Sequence, residues 1–158
     1  MDIAYLSTEL GMIEIQGEDS VIRSVQFLDH DVSPTDTPTA LSESVQQLDE
    51  YFSGKRQTFD IKFDPIGTDF QKRVWNELLN IEYGTTISYL ELASRLGDEK
   101  AVRAVGGANG KNPIAIMIPC HRVIGASGKL VGYGGGMERK RWLWKHELMN
   151  AKPEGMLF

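Results

Sequence analysis

The chain has 158 residues, 41% of them hydrophobic, a formal net charge of −5 and one cysteine. That length can bury one good core or two small ones, and a lone cysteine excludes a disulfide framework within the chain. The chain opens on no charged, apolar and small-residue pattern and holds no apolar run near the length of a membrane span. Secretion and insertion are therefore unsupported, and a cytoplasmic location, where a free thiol persists, is expected.

Charge is unevenly spread. Residues 1–66 hold 4 Lys+Arg against 13 Asp+Glu, whereas residues 67–158 hold 13 against 9. An acidic half beside a basic half is the asymmetry expected if only one of them meets a polyanion. A chance distribution of surface residues would give the same totals.

In chain order, Gly11–Gln16 and Val21–Leu28 are β-branched stretches separated by Gly17-Glu-Asp-Ser20, a hairpin signal. Residues 31–39 read as a connector. Thr37-Pro38 then suits the N-cap and first turn of a helix in which Leu41, Val45, Leu48 and Phe52 share a face, with Gly54 as its stop. Phe59, Ile61 and Phe63 alternate with polar residues and predict another strand. Pro65-Ile-Gly67 is the best boundary, because the charge sign changes there.

A capping box at Thr68-Asp-Phe-Gln71 opens a helix with Phe70, Val74, Trp75, Leu78 and Leu79 on a wide apolar face. A second box, Ser88-Tyr-Leu-Glu91, opens a helix that Gly97 should end, and Asp98 can cap a third running from Ala101 to Gly106-Gly107. Helix, short turn and helix over residues 88–107 make a helix-turn-helix pattern, though any helical hairpin can look the same. The third helix sets Arg103 among Ala101, Ala104, Gly106, Gly107 and Ala108. Small residues let a helix lie close against a partner surface.

Asn109-Gly-Lys-Asn112 reads as a turn, and Pro113 pushes Asn112 toward extended geometry. The run Ile-Ala-Ile-Met-Ile-Pro-Cys-His-Arg-Val-Ile-Gly, residues 114–125, then carries the only cysteine, Cys120, between Pro119 and His121. A free cysteine is ordinarily one more small core residue, here ending a buried strand. After a loop around Tyr133 and Gly134, Gly135 and Gly136, the last helix spans about Met137 to Asn150. Its Arg139, Lys140, Arg141 and Lys145 read as a solvated face, yet Glu147 shares a side with Lys140, Leu143 and Trp144. A carboxylate on a packing side needs a partner, and the histidine beside Cys120 is a candidate.

A free thiol titrates near about 8.5, so little of it is thiolate at neutral pH. His121 can take its proton while Glu147 orients the imidazole, the logic of a nucleophile, base and orienter. Such a set serves acyl transfer and alkyl transfer equally well.

The run Ile-Pro-Cys-His-Arg-Val-Ile-Gly closely resembles the active-site signature of the O6-alkylguanine-DNA alkyltransferases. The resemblance extends over residues 68–148 through Arg-Ala-Val-Gly-Gly (103–107), Asn112-Pro113, Gly-Tyr-Gly-Gly-Gly (132–136) and His146-Glu147. It implies an α+β protein with an α/β, ribonuclease-H-like scaffold over residues 1–66. A mainly helical alkyl-acceptor domain with the helix-turn-helix would cover residues 67–158. It also implies irreversible transfer of an alkyl group from O6-alkylguanine in double-stranded DNA, with O4-alkylthymine as a second candidate lesion, to Cys120. His121 would be the base through a water, Glu147 the orienting carboxylate and Asn112 the brace.

Because the lesion lies inside the base stack, the nucleotide must be flipped out. The resemblance makes Arg103 the finger that fills the gap, and it lays the helix carrying Ala101, Ala104, Gly106 and Gly107 in the minor groove. Arg122 joins the residues expected to meet DNA. Tyr89 would serve guanine N3, and Tyr133 with Gly134, Gly135 and Gly136 would line the base pocket. No cofactor, metal or membrane is expected, and the protein should act as a monomer used once. The first half has only His30 as a zinc ligand candidate of the cysteine or histidine kind, too few for a tetrahedral site. Gly134 replaces a serine found in some members, which leaves substrate range open. Competing readings are a non-catalytic module binding alkylated DNA, a Cys-His hydrolase and a transcriptional regulator.

Overall fold

The computed structural model describes residues 1–33, 35–125 and 136–151. Three antiparallel strands open it: β1 (Asp2–Thr8), β2 (Gly11–Glu18) and β3 (Val21–Leu28). The β2–β3 hairpin forms as expected, and its two loop residues, Asp19 and Ser20, sit at φ 52° and 66°. Two successive positive φ values match the right-handed twist of the flanking strands. The added first strand buries only Ala4 deeply, which is why alternation does not reveal it.

Helix α1 (Ser42–Phe52) packs on β1 and buries Leu48 and Tyr51. Its start departs from expectation. Thr37-Pro38 does not cap it; a 3-10 turn over Thr39–Leu41 intervenes, with Leu41 fully buried, and no side chain caps α1. The strand expected over residues 59–63 contracts to β4 (Lys62–Phe63), parallel to Val21–Ile22. Register supplies the reason: Lys62 and Phe63 pair with Val21 and Ile22, the first residues of β3, so residues 59–61 would lie beside the Glu18–Ser20 turn, where β3 has not begun. With β2 on its other side, Val25 donates its N–H to the Pro113 carbonyl at 2.9 Å and accepts from Ala115 N–H at 2.9 Å. The segment leading to Cys120 thus takes the same edge of β3 beyond the end of β4.

In helix α2 (Asp69–Leu78) both halves of the capping box form, Gln71 N–H to Thr68 Oγ1 and Thr68 N–H to Gln71 Oε1. Its Val74, Trp75 and Leu78 are buried, and the Trp75 indole donates to the Ala108 carbonyl at 2.8 Å. Helix α3 (Tyr89–Arg95) starts at Ser88, whose hydroxyl accepts from Glu91 N–H. Asp98 caps a 3-10 turn at Glu99–Ala101 before helix α4 (Val102–Gly110). Helix α4 outlasts the expected stop at Gly107, so Asn109 and Gly110 belong to its last turn. Ala101 precedes it as N-cap.

Residues 114–118 form no strand beyond a bridge to Val25. They fold back through Met117 N–H to Ala115 O and Ile118 N–H to Ile114 O, with Ile116 at φ 72°. A β-branched residue there is an outlier, and such strain costs about 1–3 kcal/mol and concentrates at functional sites. A two-stranded parallel sheet, β5 (Ile87–Ser88) with β6 (Val123–Ile124), ties the start of α3 to the cysteine segment. Helix α5 (Met137–Asn150) closes the described structure and buries Lys140, Leu143 and Glu147.

Between α2 and β5, Gly84 lies at φ +77°, and a Cβ there would collide with that of Ala151 and approach the Glu147 carbonyl oxygen to 3.3 Å. Gly84→Ala is expected to lower stability by about 2–4 kcal/mol, from the left-handed backbone and the displaced end of α5. Urea unfolding measures this, and a midpoint equal to that of the parent chain would contradict it.

Candidate active site

Cys120 opens a 3-10 turn, Cys120–Arg122, held by its own N–H to the Ile118 carbonyl at 2.8 Å and by Arg122 N–H to the Pro119 carbonyl at 3.0 Å. The thiol is 5% exposed. It lies at a cavity whose described walls include Val25, Gln26 and Phe27 of β3, Gly110, Asn112, Ala115, Gly136 and Arg139. The amino-terminal sheet therefore forms one wall of the space in front of the sulfur.

Asn112 braces the turn from below: its Nδ2 donates to the carbonyls of Ile118 at 2.7 Å and Ile114 at 3.2 Å, while Oδ1 accepts from Ile114 N–H at 3.0 Å. A second asparagine does related work. Asn109, 1% exposed, donates to the Cys120 carbonyl at 3.3 Å. The sequence reading placed it in a turn and missed it; its signal was a polar residue one helical turn after Val105, on the buried face of α4.

Behind the thiol, His121 is completely buried and its Nε2 lies 2.6 Å from Glu147 Oε2. Its Nδ1 is buried without a hydrogen-bond partner among the described residues. Glu147 also accepts from Tyr51 OH at 2.7 Å, from Arg122 Nε at 2.7 Å and Nη2 at 3.1 Å, and from Gly84 N–H at 3.4 Å. Burial alone would raise its pKa, but the charge and hydrogen bond of His121, reinforced by Arg122, hold it well below the usual carboxylate range.

This placement corrects the reading of Arg122 as a DNA contact. Arg122 is 8% exposed and its guanidinium is turned inward, with Nη1 donating to the Ile81 carbonyl at 2.6 Å and the remaining nitrogens facing Glu147. A positive charge committed to a buried carboxylate is not offered to a phosphate.

Lys140 reads with the solvated charges of the last helix, but the structure buries it completely. Its Nζ lies 3.5 Å from Tyr89 OH. Burial brings its pKa down to about 8, opposed by the nearby Cys120. Burial pushes the Cys120 thiol up to about 11, against the downward pull of the Asn112 hydrogen bond and the Lys140 charge. Tyr89 is likewise raised by burial, with an Asn109 hydrogen bond pulling the other way. Cys120, Lys140, Tyr89 and Asn109 thus form one electrostatically linked group. The hint in the sequence was the seven-residue spacing from Lys140 to Glu147, which sets both on one face.

On α4, Arg103, Ala104 and Gly107 are exposed while Val105 and Ala108 are buried. A Cβ on Gly107 would meet nothing, whereas one on Gly106 would touch the Tyr89 ring at 3.7 Å. Of the pocket residues expected from the sequence, Gly136 reaches the cavity at φ +98°. Tyr133, Gly134 and Gly135 lie outside the described residues.

Fold and site together define a protein built around one buried cysteine at a cavity with a histidine–carboxylate pair behind it. Two family models match it: the 6-O-methylguanine DNA methyltransferase DNA binding domain over residues 69–149, and the ribonuclease-like domain of the same family over residues 1–65. The chain belongs to the 6-O-methylguanine DNA methyltransferase family. It is 48% identical over 158 residues to the methylated-DNA–protein-cysteine methyltransferase of Mycobacterium bovis, covering 97% of this chain and 96% of the relative. The Methanosarcina acetivorans protein of that name is 43% identical over 153 residues, covering 93% and 98%. Among solved structures, Mycobacterium tuberculosis OGT in complex with DNA superposes with a TM-score of 0.86 at 47% identity, covering 95% of this chain and 94% of that one. The O6-methylguanine methyltransferase of the same organism gives 0.87 at 47%, covering 97% and 95%.

The position of Glu147 sets an acid dependence. Its carboxyl titrates below its ordinary 4.5 in the folded chain, so the unfolded chain binds more protons as pH falls through that value. The stability from its contacts is present above that pH and should fade progressively below it. Glu147→Gln is expected to flatten this acid-side loss while costing about 3–5 kcal/mol at neutral pH, where Arg122 keeps a buried charge without its partner. Urea unfolding across a pH series checks both, and parallel pH profiles for the two proteins would contradict the assignment.

Proposed function

We propose that this chain repairs double-stranded DNA by transferring the alkyl group of O6-alkylguanine to Cys120. The observation that carries the reading is the thiol at the floor of a cavity, backed by the His121–Glu147 pair, in a member of this family. The sulfur–carbon bond forms as the carbon–O6 bond breaks, and O6 keeps the electron pair. The thiol proton passes to His121, whose Nδ1 has no protein partner among the described residues and is free to take a bridging water. Tyr89 donates to guanine N3 as charge develops on the leaving base. Lys140, close to both sulfur and phenol, favours thiolate at the moment of attack.

The raised thiol pKa fits this division of labour. A thiol at about 11 is almost wholly protonated at neutral pH, so attack requires a base in place, and only the thiolate is nucleophilic. The product is a thioether. No group in the site can cleave it, so each molecule acts once.

Reaching the lesion requires the nucleotide outside the helix. Arg103 has the exposure and position to enter the stack, and Ala104 and Gly107 beside it leave α4 smooth enough for close approach to a minor groove. We read α3, the Gly97 turn and α4 as a helix-turn-helix unit, and we place the boundary between scaffold and acceptor domains near residue 66. Both readings are supported by the sequence pattern and by the two family matches. A cytoplasmic location fits the single free thiol.

With excess O6-methylguanine duplex, product should appear in a burst equal to the active protein and then stop, with the new methyl on Cys120 by peptide mapping. Cys120→Ala should keep DNA binding and lose transfer, and linear product formation beyond one equivalent would show a hydrolase instead. Arg103→Ala should slow repair of duplex DNA far more than reaction with the free alkylated base. Equal losses in the two assays would assign Arg103 to the fold.

A further inference from the structure

The carboxylate behind His121 is held from the amino-terminal half of the chain as well as from its own. Tyr51, on α1, is fully buried, and its hydroxyl donates at 2.7 Å to Glu147 Oε2, the same oxygen that lies 2.6 Å from His121 Nε2. Its backbone carbonyl faces His146 Nε2 at 2.7 Å, fixing α1 against α5 on both sides of the side chain. Phe52, Phe59, Tyr83 and His146 surround its ring, so the phenol has little freedom to turn away.

We propose that Tyr51 is a positioning residue for alkyl transfer, setting through Glu147 how firmly His121 holds a proton. A neutral donor on Oε2 takes part of the carboxylate's charge and fixes its rotation. Without it that oxygen is bound more strongly by an imidazolium, and His121 keeps its proton to higher pH. The scaffold half of the chain would thereby tune the base of the acceptor half.

The ionisable groups facing this carboxylate are Tyr51 from α1, Tyr83 from the segment after α2, and His121 and Arg122 from the 3-10 turn. On α5 itself, His146 turns to Tyr51 and stacks on Trp142, while Lys140 turns to Tyr89 and Cys120. Tyr51 stays a donor throughout the working range: burial, followed by the Glu147 charge, raises its pKa well above the ordinary phenol value.

This inference rests on the reading of His121 as the base. The test is the single-turnover rate of methyl transfer from O6-methylguanine duplex to the full chain, followed from acid to neutral pH. The parent chain should lose rate on an acid limb that His121→Ala abolishes. Tyr51→Phe should move that limb up by about half a unit to one unit, slow transfer at neutral pH and leave the burst at one equivalent. In the His121→Ala background the same substitution should change nothing, since the path through the imidazole is gone. Placing 3-fluorotyrosine at position 51, a stronger donor of the same shape, should move the limb down; this arm also serves if the phenylalanine variant folds poorly. An unmoved limb in both variants, or equal slowing by Tyr51→Phe with and without His121, overturns the positioning role alone. A parent limb that survives His121→Ala overturns the base assignment, and this inference with it.

Discussion

One buried carboxylate organises this molecule. Stripping water from an ionised glutamate costs several kcal/mol unless donors replace it, and Glu147 collects partners from four residues: Tyr51 of α1, Gly84, and both His121 and Arg122 of the 3-10 turn. Each donor fixes the segment that carries it. The convergence explains why a sheet, two helices and a cysteine loop far apart in sequence hold one arrangement. It also explains why the guanidinium of Arg122, attractive on paper as a phosphate ligand, is turned inward.

In front of that carboxylate the site is quiet by construction. Burial works against both ionised forms, raising the thiol to about 11 and lowering the lysine to about 8. The thiol stays protonated toward stray electrophiles, a useful property for an acceptor that cannot be regenerated. On the proposed function, reactivity then depends on a substrate that fills the cavity while a base takes the proton. The Ile116 backbone at φ 72° and the two asparagines hold the sulfur's backbone in place for that event.

Much of this was legible in the residues. Hydrophobic spacing and N-cap residues marked the hairpin and α2, α3 and α5 closely, because those signals are local, although the expected box at Ser88 forms only its Ser88 half. The unit around Cys120 was readable because its motif is long and specific. Three features escaped for one physical reason: each depends on a partner distant in sequence. The expected strand over residues 59–63 shortened because its partner β3 begins only at Val21, opposite Lys62. Lys140 looked solvated until Tyr89 and Cys120 were set beside it. Tyr51 looked like one more core aromatic of α1, and nothing local could show that its hydroxyl meets a carboxylate 96 positions later.

That separation orders events during synthesis. A ribosome adding about 5–20 residues per second needs roughly 5–20 s to pass from Tyr51 to Glu147. Throughout that interval α1 exists without the helix it packs against, and for the last 26 residues of it His121 has been made without its carboxylate. The nascent chain therefore carries Cys120 and His121 before it carries the carboxylate that faces the imidazole. That carboxylate reaches His121 only when α5 packs against α1 and the 3-10 turn.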